Sequence, residues 1–147
     1  MSKLSALTGA VLLAAGLLPA VVSASVPAAP VCKETVRDPE SYDSTDECYY
    51  KGSNLVQTYG IYRNTTGEPK NLTEKLTPGT DQSFTDYGDT VSLEYKWRGN
   101  NHLTVTQLFN GGQDTISFEN DGQGTRLLQN TVRINYPAKL LVLVTLN

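Results

Sequence analysis

His102, Cys32 and Cys48 are the whole supply of imidazole and thiol groups in this 147-residue chain. Zinc sites draw three or four such ligands, and a cysteine nucleophile needs a thiol that is not tied to a partner. Two cysteines in an oxidising compartment pair with each other and leave nothing for metal or thiolate chemistry. His102 stands in Arg98-Gly99-Asn100-Asn101-His102, a run of turn formers, and reads as a solvated loop histidine. Asp86, Asp89, Glu94, Asp114, Glu119 and Asp121 could furnish the carboxylate pair of a glycoside hydrolase, but most fall in turns and their spacing sets no separation. No glycine-rich phosphate loop leads from a strand into a helix, and no Gly-x-Ser-x-Gly elbow occurs. The chain is therefore expected to be non-enzymatic, with no cofactor and no metal.

Cys32 and Cys48 enclose six acidic residues, Glu34, Asp38, Glu40, Asp43, Asp46 and Glu47, against Lys33 and Arg37. That stretch reads as a surface loop, 32–48, tied at its base by a Cys32–Cys48 disulfide. Closing a loop of this size contributes about 3 kcal/mol in the chain-entropy account. Calcium would be the alternative use of such acidity, but the spacing matches no calcium loop. Two further motifs, Asn64-Thr65-Thr66 and Asn71-Leu72-Thr73, are N-glycosylation acceptors, so Asn64 and Asn71 are candidate glycan sites.

The amino terminus decides the compartment. Met1-Ser2-Lys3 is a short positive start, Leu4 to Val22 is an apolar run interrupted by Pro19, and Val22-Ser23-Ala24 offers small residues for cleavage. This is the pattern of a cleaved secretory signal peptide over 1–24, in preference to a membrane anchor. A flexible, proline-rich leader is expected over 25–31 and a single domain over 32–147. About 120 residues suffice for one core. No later apolar stretch is long enough to span a bilayer, so a secreted, extracellular protein without stable membrane insertion is expected. The net charge is −3 and the lysines and arginines are scattered singly, which disfavours nucleic acid as a partner.

The elements that must position these residues read as strands. Thr90 to Trp97 alternates Val91, Leu93, Tyr95 and Trp97 with polar residues, and Leu103 to Phe109 follows across a Gly99-Asn100-Asn101 turn as its hairpin partner. Thr115 to Glu119 and Leu127 to Tyr136 continue the pattern, and Leu140 to Leu146 is apolar at nearly every position. Leu55 to Tyr62 also reads as a strand, with shorter ones at Leu72 to Leu76 and Ser83 to Thr85. The predicted fold is all-β, an antiparallel β-sandwich of about seven or eight short strands. Tyr95 and Trp97 are assigned to the core, while the other tyrosines are free to be core or contact residues.

From Asp89-Thr90-Val91-Ser92-Leu93-Glu94-Tyr95 through Leu103 to Phe109 and on to Gly112-Gln113-Asp114, the chain resembles the hairpin and loop of the fungal ToxA-like effectors. Those are small secreted β-sandwich proteins of plant pathogens. The family's founding toxin has Arg-Gly-Asp where this chain has Gly112-Gln113-Asp114, and both cysteines here lie near the N-terminus. The resemblance thus implies fold and lifestyle and carries no receptor-binding loop with it. The expected function is a secreted effector or toxin-like virulence protein that recognises a host protein through loops, with Arg98, Asn100, Asn101, His102, Gln113 and Asp114 as candidate binding residues. The alternative is a lectin-like carbohydrate-binding module, which would present several aromatic side chains to a glycan.

Overall fold

The computed structural model describes residues 28–35, 40 and 43–133. The expected signal peptide 1–24, most of the leader and the expected Leu140–Leu146 strand lie outside the described residues. Among the described residues, seven strands form one antiparallel sheet: β1 (Val31–Thr35), β2 (Ser44–Lys51), β3 (Gln82–Thr85), β4 (Ser92–Arg98), β5 (His102–Phe109), β6 (Gly112–Asn120) and β7 (Gly124–Arg133). Their spatial order is β1-β2-β7-β6-β5-β4-β3. Strands β3 to β7 are a meander of hairpins, and the β1–β2 hairpin docks antiparallel along β7.

Helix α1 (Leu55–Thr65) and a 3₁₀ turn (Pro69–Asn71) carry the chain from β2 over one face of the sheet to the far edge at β3. Among the described residues, the layer that covers this face is therefore a helix with its following loop rather than the second sheet that a sandwich requires. The expected strand Leu55 to Tyr62 is this helix. Asn54 forms a capping box: its side chain accepts from the Gln57 N–H at 2.9 Å, and the Gln57 side chain accepts from the Asn54 N–H at 3.0 Å. Leu55, Thr58, Tyr59 and Tyr62 then recur at spacings of three and four and face the sheet, whereas Val56 is 45% exposed. Leu72 to Leu76 is likewise not a strand; Leu72 is buried as a plug behind the 3₁₀ turn.

The meander follows its alternation closely. Cross-strand neighbours Leu103, Phe118 and Leu127 form one buried row with Trp97 at its edge, and Tyr95, Val105 and Ile116 form the next. Because side chains alternate with period two, one register places all of these on the helix-covered face. Burying each such side chain contributes about 1.5–3 kcal/mol. Val91 precedes β4 and is 40% exposed, so it does not continue the Leu93–Tyr95 row.

Cys32 and Cys48 are joined by a disulfide, as directly opposed residues of β1 and β2 with Cα atoms 4.0 Å apart. The expected acidic loop is thus largely a hairpin: Lys33, Glu34 and Thr35 pair with Glu47, Asp46 and Thr45, and the ladder starts at Val31, which was expected in the leader. Within the described residues no helix is long and apolar enough to cross a membrane.

Candidate functional site

The antiparallel order sends the candidate residues to opposite ends of the sheet. Asn100 and Asn101 lie in the β4–β5 turn at one end, flanked by Arg98 as the last residue of β4 and His102 as the first of β5, beside the β6–β7 turn. Gln113 and Asp114 follow the β5–β6 turn at the other end, where β1 ends and β2 begins and the Arg133 N–H donates to Asp43 at 2.9 Å. The structure therefore does not unite the two groups in one surface.

At the first end the turns are fastened to one another. Gly99 allows the β4–β5 turn with φ of +64°, and the Asn120 N–H donates to the Asn101 carbonyl at 2.8 Å. Asp121 organises the β6–β7 turn by accepting from the Gln123 and Gly124 N–H groups at 2.8 and 2.9 Å, and Tyr49 OH donates to its other oxygen at 3.0 Å. These backbone hydrogen bonds, followed by the tyrosine, hold the Asp121 carboxyl below the ordinary aspartate range. The Gly52 N–H donates to Gln123 O at 2.8 Å and Thr125 Oγ1 donates to Ser53 O at 2.9 Å, which attaches the β2–α1 connection to the same cluster. Arg98, Asn100, Asn101 and residues 121–123 remain exposed. His102 is half-buried, with Thr104 Oγ1 at 3.3 Å and Arg98 at 3.5 Å, and is the first residue of β5 rather than a loop residue.

At the second end a cavity of about 370 Å³ opens under the C-terminal end of α1. The sheet floor supplies Gln107, Phe109, Asp114 and Gln129, the helix supplies Tyr62, and the 3₁₀ turn and β3–β4 connection supply Asn71 and Asp89. Gly88, at φ of +61°, packs so tightly on Asn71 that a Cβ there would collide with its Oδ1. This lets the Asp89 N–H donate to Asn71 Oδ1 at 2.7 Å while Gln107 donates to Asn71 O at 2.8 Å. Tyr62 OH donates to the Gln129 side chain at 3.0 Å. Burial pushes the Tyr62 phenol far above its usual range, and the nearby Asp114 carboxylate adds to the shift. One oxygen of Asp114, Oδ1, is shut off from solvent without a hydrogen-bond partner.

Gln113 points to the opposite face and is exposed, with its amide on Thr115 at 3.1 Å. Of the two candidate glycan sites, Asn64 is exposed near the end of α1, whereas Asn71 is 2% exposed and hydrogen-bonded on both sides. A glycan on Asn71 is incompatible with this packing. The sequence reading missed Tyr62, Asn71 and Gln107 as cavity residues; the signal for Tyr62 was the Asn54-x-x-Gln57 cap that turns its segment into a helix. Every aromatic side chain among the described residues is buried or half-buried, and the described residues contain no group of three or more His, Cys, Asp or Glu able to hold a metal ion. Comparison with protein-family models, curated proteins and solved structures finds no match.

Proposed function

We propose that the chain is a secreted, non-enzymatic recognition protein of the effector type, which engages a host protein through the turns at the β4–β5 and β6–β7 end of its sheet. The observation that carries this reading is the 2.8 Å bond from Asn120, the last residue of β6, to Asn101, which fixes the exposed β4–β5 turn to the base of the exposed β6–β7 turn. Loops fixed before contact lose little entropy on binding, and rigid frames with polar loops are a common basis for protein recognition. The resemblance to ToxA-like effectors over Asp89 to Asp114 supports the lifestyle, and the signal-peptide pattern and disulfide support passage through an oxidising compartment. The lectin-like alternative has less support, because most of the aromatic side chains, Tyr50, Tyr59, Tyr95 and Phe118 with Tyr62, Phe84, Tyr87 and Trp97 against them, pack into or onto the core.

The test uses the purified mature chain, fluorescently labelled, on plant leaf tissue, the host class that the resemblance implies. The reading requires saturable binding that protease treatment of the tissue removes. It also requires that Arg98→Ala with Asn100→Ala weaken binding about tenfold, a loss of about 1.4 kcal/mol, while Gln113→Ala at the other end leaves it unchanged. Specific binding on a glycan array would overturn it.

A further inference from the structure

We propose that the cavity beneath the C-terminal end of α1 is a ligand site for a small organic cation, a molecule carrying an alkylammonium group, with Asp114 as its counter-charge. This site lies at the far end of the sheet from the β4–β5 turn and stands independently of the recognition reading. At about 370 Å³ the cavity falls within the range of small-molecule sites.

Three features select a cation. The first is Asp114 itself: a carboxylate oxygen withdrawn from water with no hydrogen bond is costly, and none of the ion pairs among the described residues involves this residue. Asp114 lines the cavity, so an ammonium group bound there would supply the counter-charge that this carboxylate lacks, acting through its charge rather than by contact with the enclosed Oδ1. The second is the surrounding charge. Glu68 and Asp89 line the mouth and Asp46 lies close enough to act on Tyr62. Against them stand Arg133 in the lining and Lys70, which pairs with Asp89 at 2.7 Å and with Glu68 at 4.0 Å. Carboxylates outnumber cations, so an anionic ligand would be repelled. The third is the wall: Tyr62 and Phe109 offer aromatic rings, and rings attract ammonium groups through their negative faces.

The experiment titrates the purified chain with 1,4-diaminobutane while backbone amides are followed by NMR, with 1,4-butanediol as the neutral analogue of the same shape. The proposal requires saturable shifts at Gly111, Asp114 and Gln129 with the diamine and none with the diol. It further requires that Asp114→Asn weaken the diamine at least about tenfold through loss of its counter-charge, about 1.4 kcal/mol. Glu119→Gln, which removes an exposed carboxylate at the opposite end, leaves the diamine midpoint unchanged. Equal midpoints for diamine and diol, no saturation with the diamine, or an unchanged midpoint in a folded Asp114→Asn protein each overturn it. Should Asp114→Asn unfold by circular dichroism, the diamine–diol comparison in the unsubstituted chain decides alone.

Discussion

Tyr59 of α1 and Tyr95 of β4 meet hydroxyl to hydroxyl at 2.9 Å inside the core, with their rings edge to face at 6.1 Å. The Tyr59 hydroxyl donates to the Thr73 carbonyl at 2.7 Å, so its oxygen must accept from Tyr95, whose own oxygen accepts from the Thr73 N–H at 2.8 Å. Three groups thus close a buried ring of hydrogen bonds that joins the helix, the sheet and the loop between them. Tyr95→Phe keeps the ring packing but strands the Thr73 N–H and one lone pair of Tyr59. It is expected to destabilise the chain by about 1–3 kcal/mol in urea unfolding, with an unchanged denaturant slope.

Leu103 is fully buried between Trp97 and Phe118 on neighbouring strands. Leu103→Ala is expected to cost about 2–5 kcal/mol by the same measurement, because the sheet backbone on both sides prevents the void from collapsing.

The Cys32–Cys48 bridge holds a hairpin that, among the described strands, lies at the sheet edge and pairs onward only with β7. The folded protein should contain no titratable thiols. Replacing both cysteines by serine should lower stability by about 2–4 kcal/mol, with hydrogen exchange rising first in β1. Two reactive thiols in the folded protein would refute the bridge.

Much of the sheet was legible because period-two alternation and Gly/Asn turns specify hairpins locally: β4 and β5 fall close to the expected Thr90 to Trp97 and Leu103 to Phe109, and β6 contains the expected Thr115 to Glu119 but begins three residues earlier, at Gly112. The helix was not, because Leu55 to Tyr62 satisfies periods of two and of 3.6 together. The choice rests on one side-chain exchange between Asn54 and Gln57. The cavity was less legible still. It depends on the crossover of α1, which brings Tyr62 and Asn71 over Gln107 and Asp114 from distant parts of the chain. Asp114 was singled out for its loop position, whereas its side chain faces the covered side of the sheet; Gln113, its neighbour, faces away because adjacent strand residues alternate.

Secretion through a eukaryotic glycosylation pathway should modify Asn64 and leave Asn71 bare, since Asn71 is enclosed by Gly88 and Gln107. Peptide mass mapping checks this: Asn64→Gln should abolish the glycan mass entirely, and a glycan recovered on Asn71 in folded protein would contradict the packing.

The β6–β7 turn should weaken in acid. The Asp121 carboxyl is held below its unfolded value of about 3.9, so its contribution is fully present above that pH and is lost as pH falls through the lower, folded value. Asp121→Asn should lower the melting temperature at pH 7 and flatten its decline below about pH 4. An identical acid limb in the variant would contradict this role.

Recognition by the fastened turns is open to site-specific photocrosslinking. A benzophenone side chain placed at Asn100 or at Gln113 of the mature chain is irradiated on plant leaf tissue. The account predicts a discrete protein adduct from position 100 and none from position 113; adducts from position 113 alone, equal adducts from both, or no protein adduct from position 100 would contradict it.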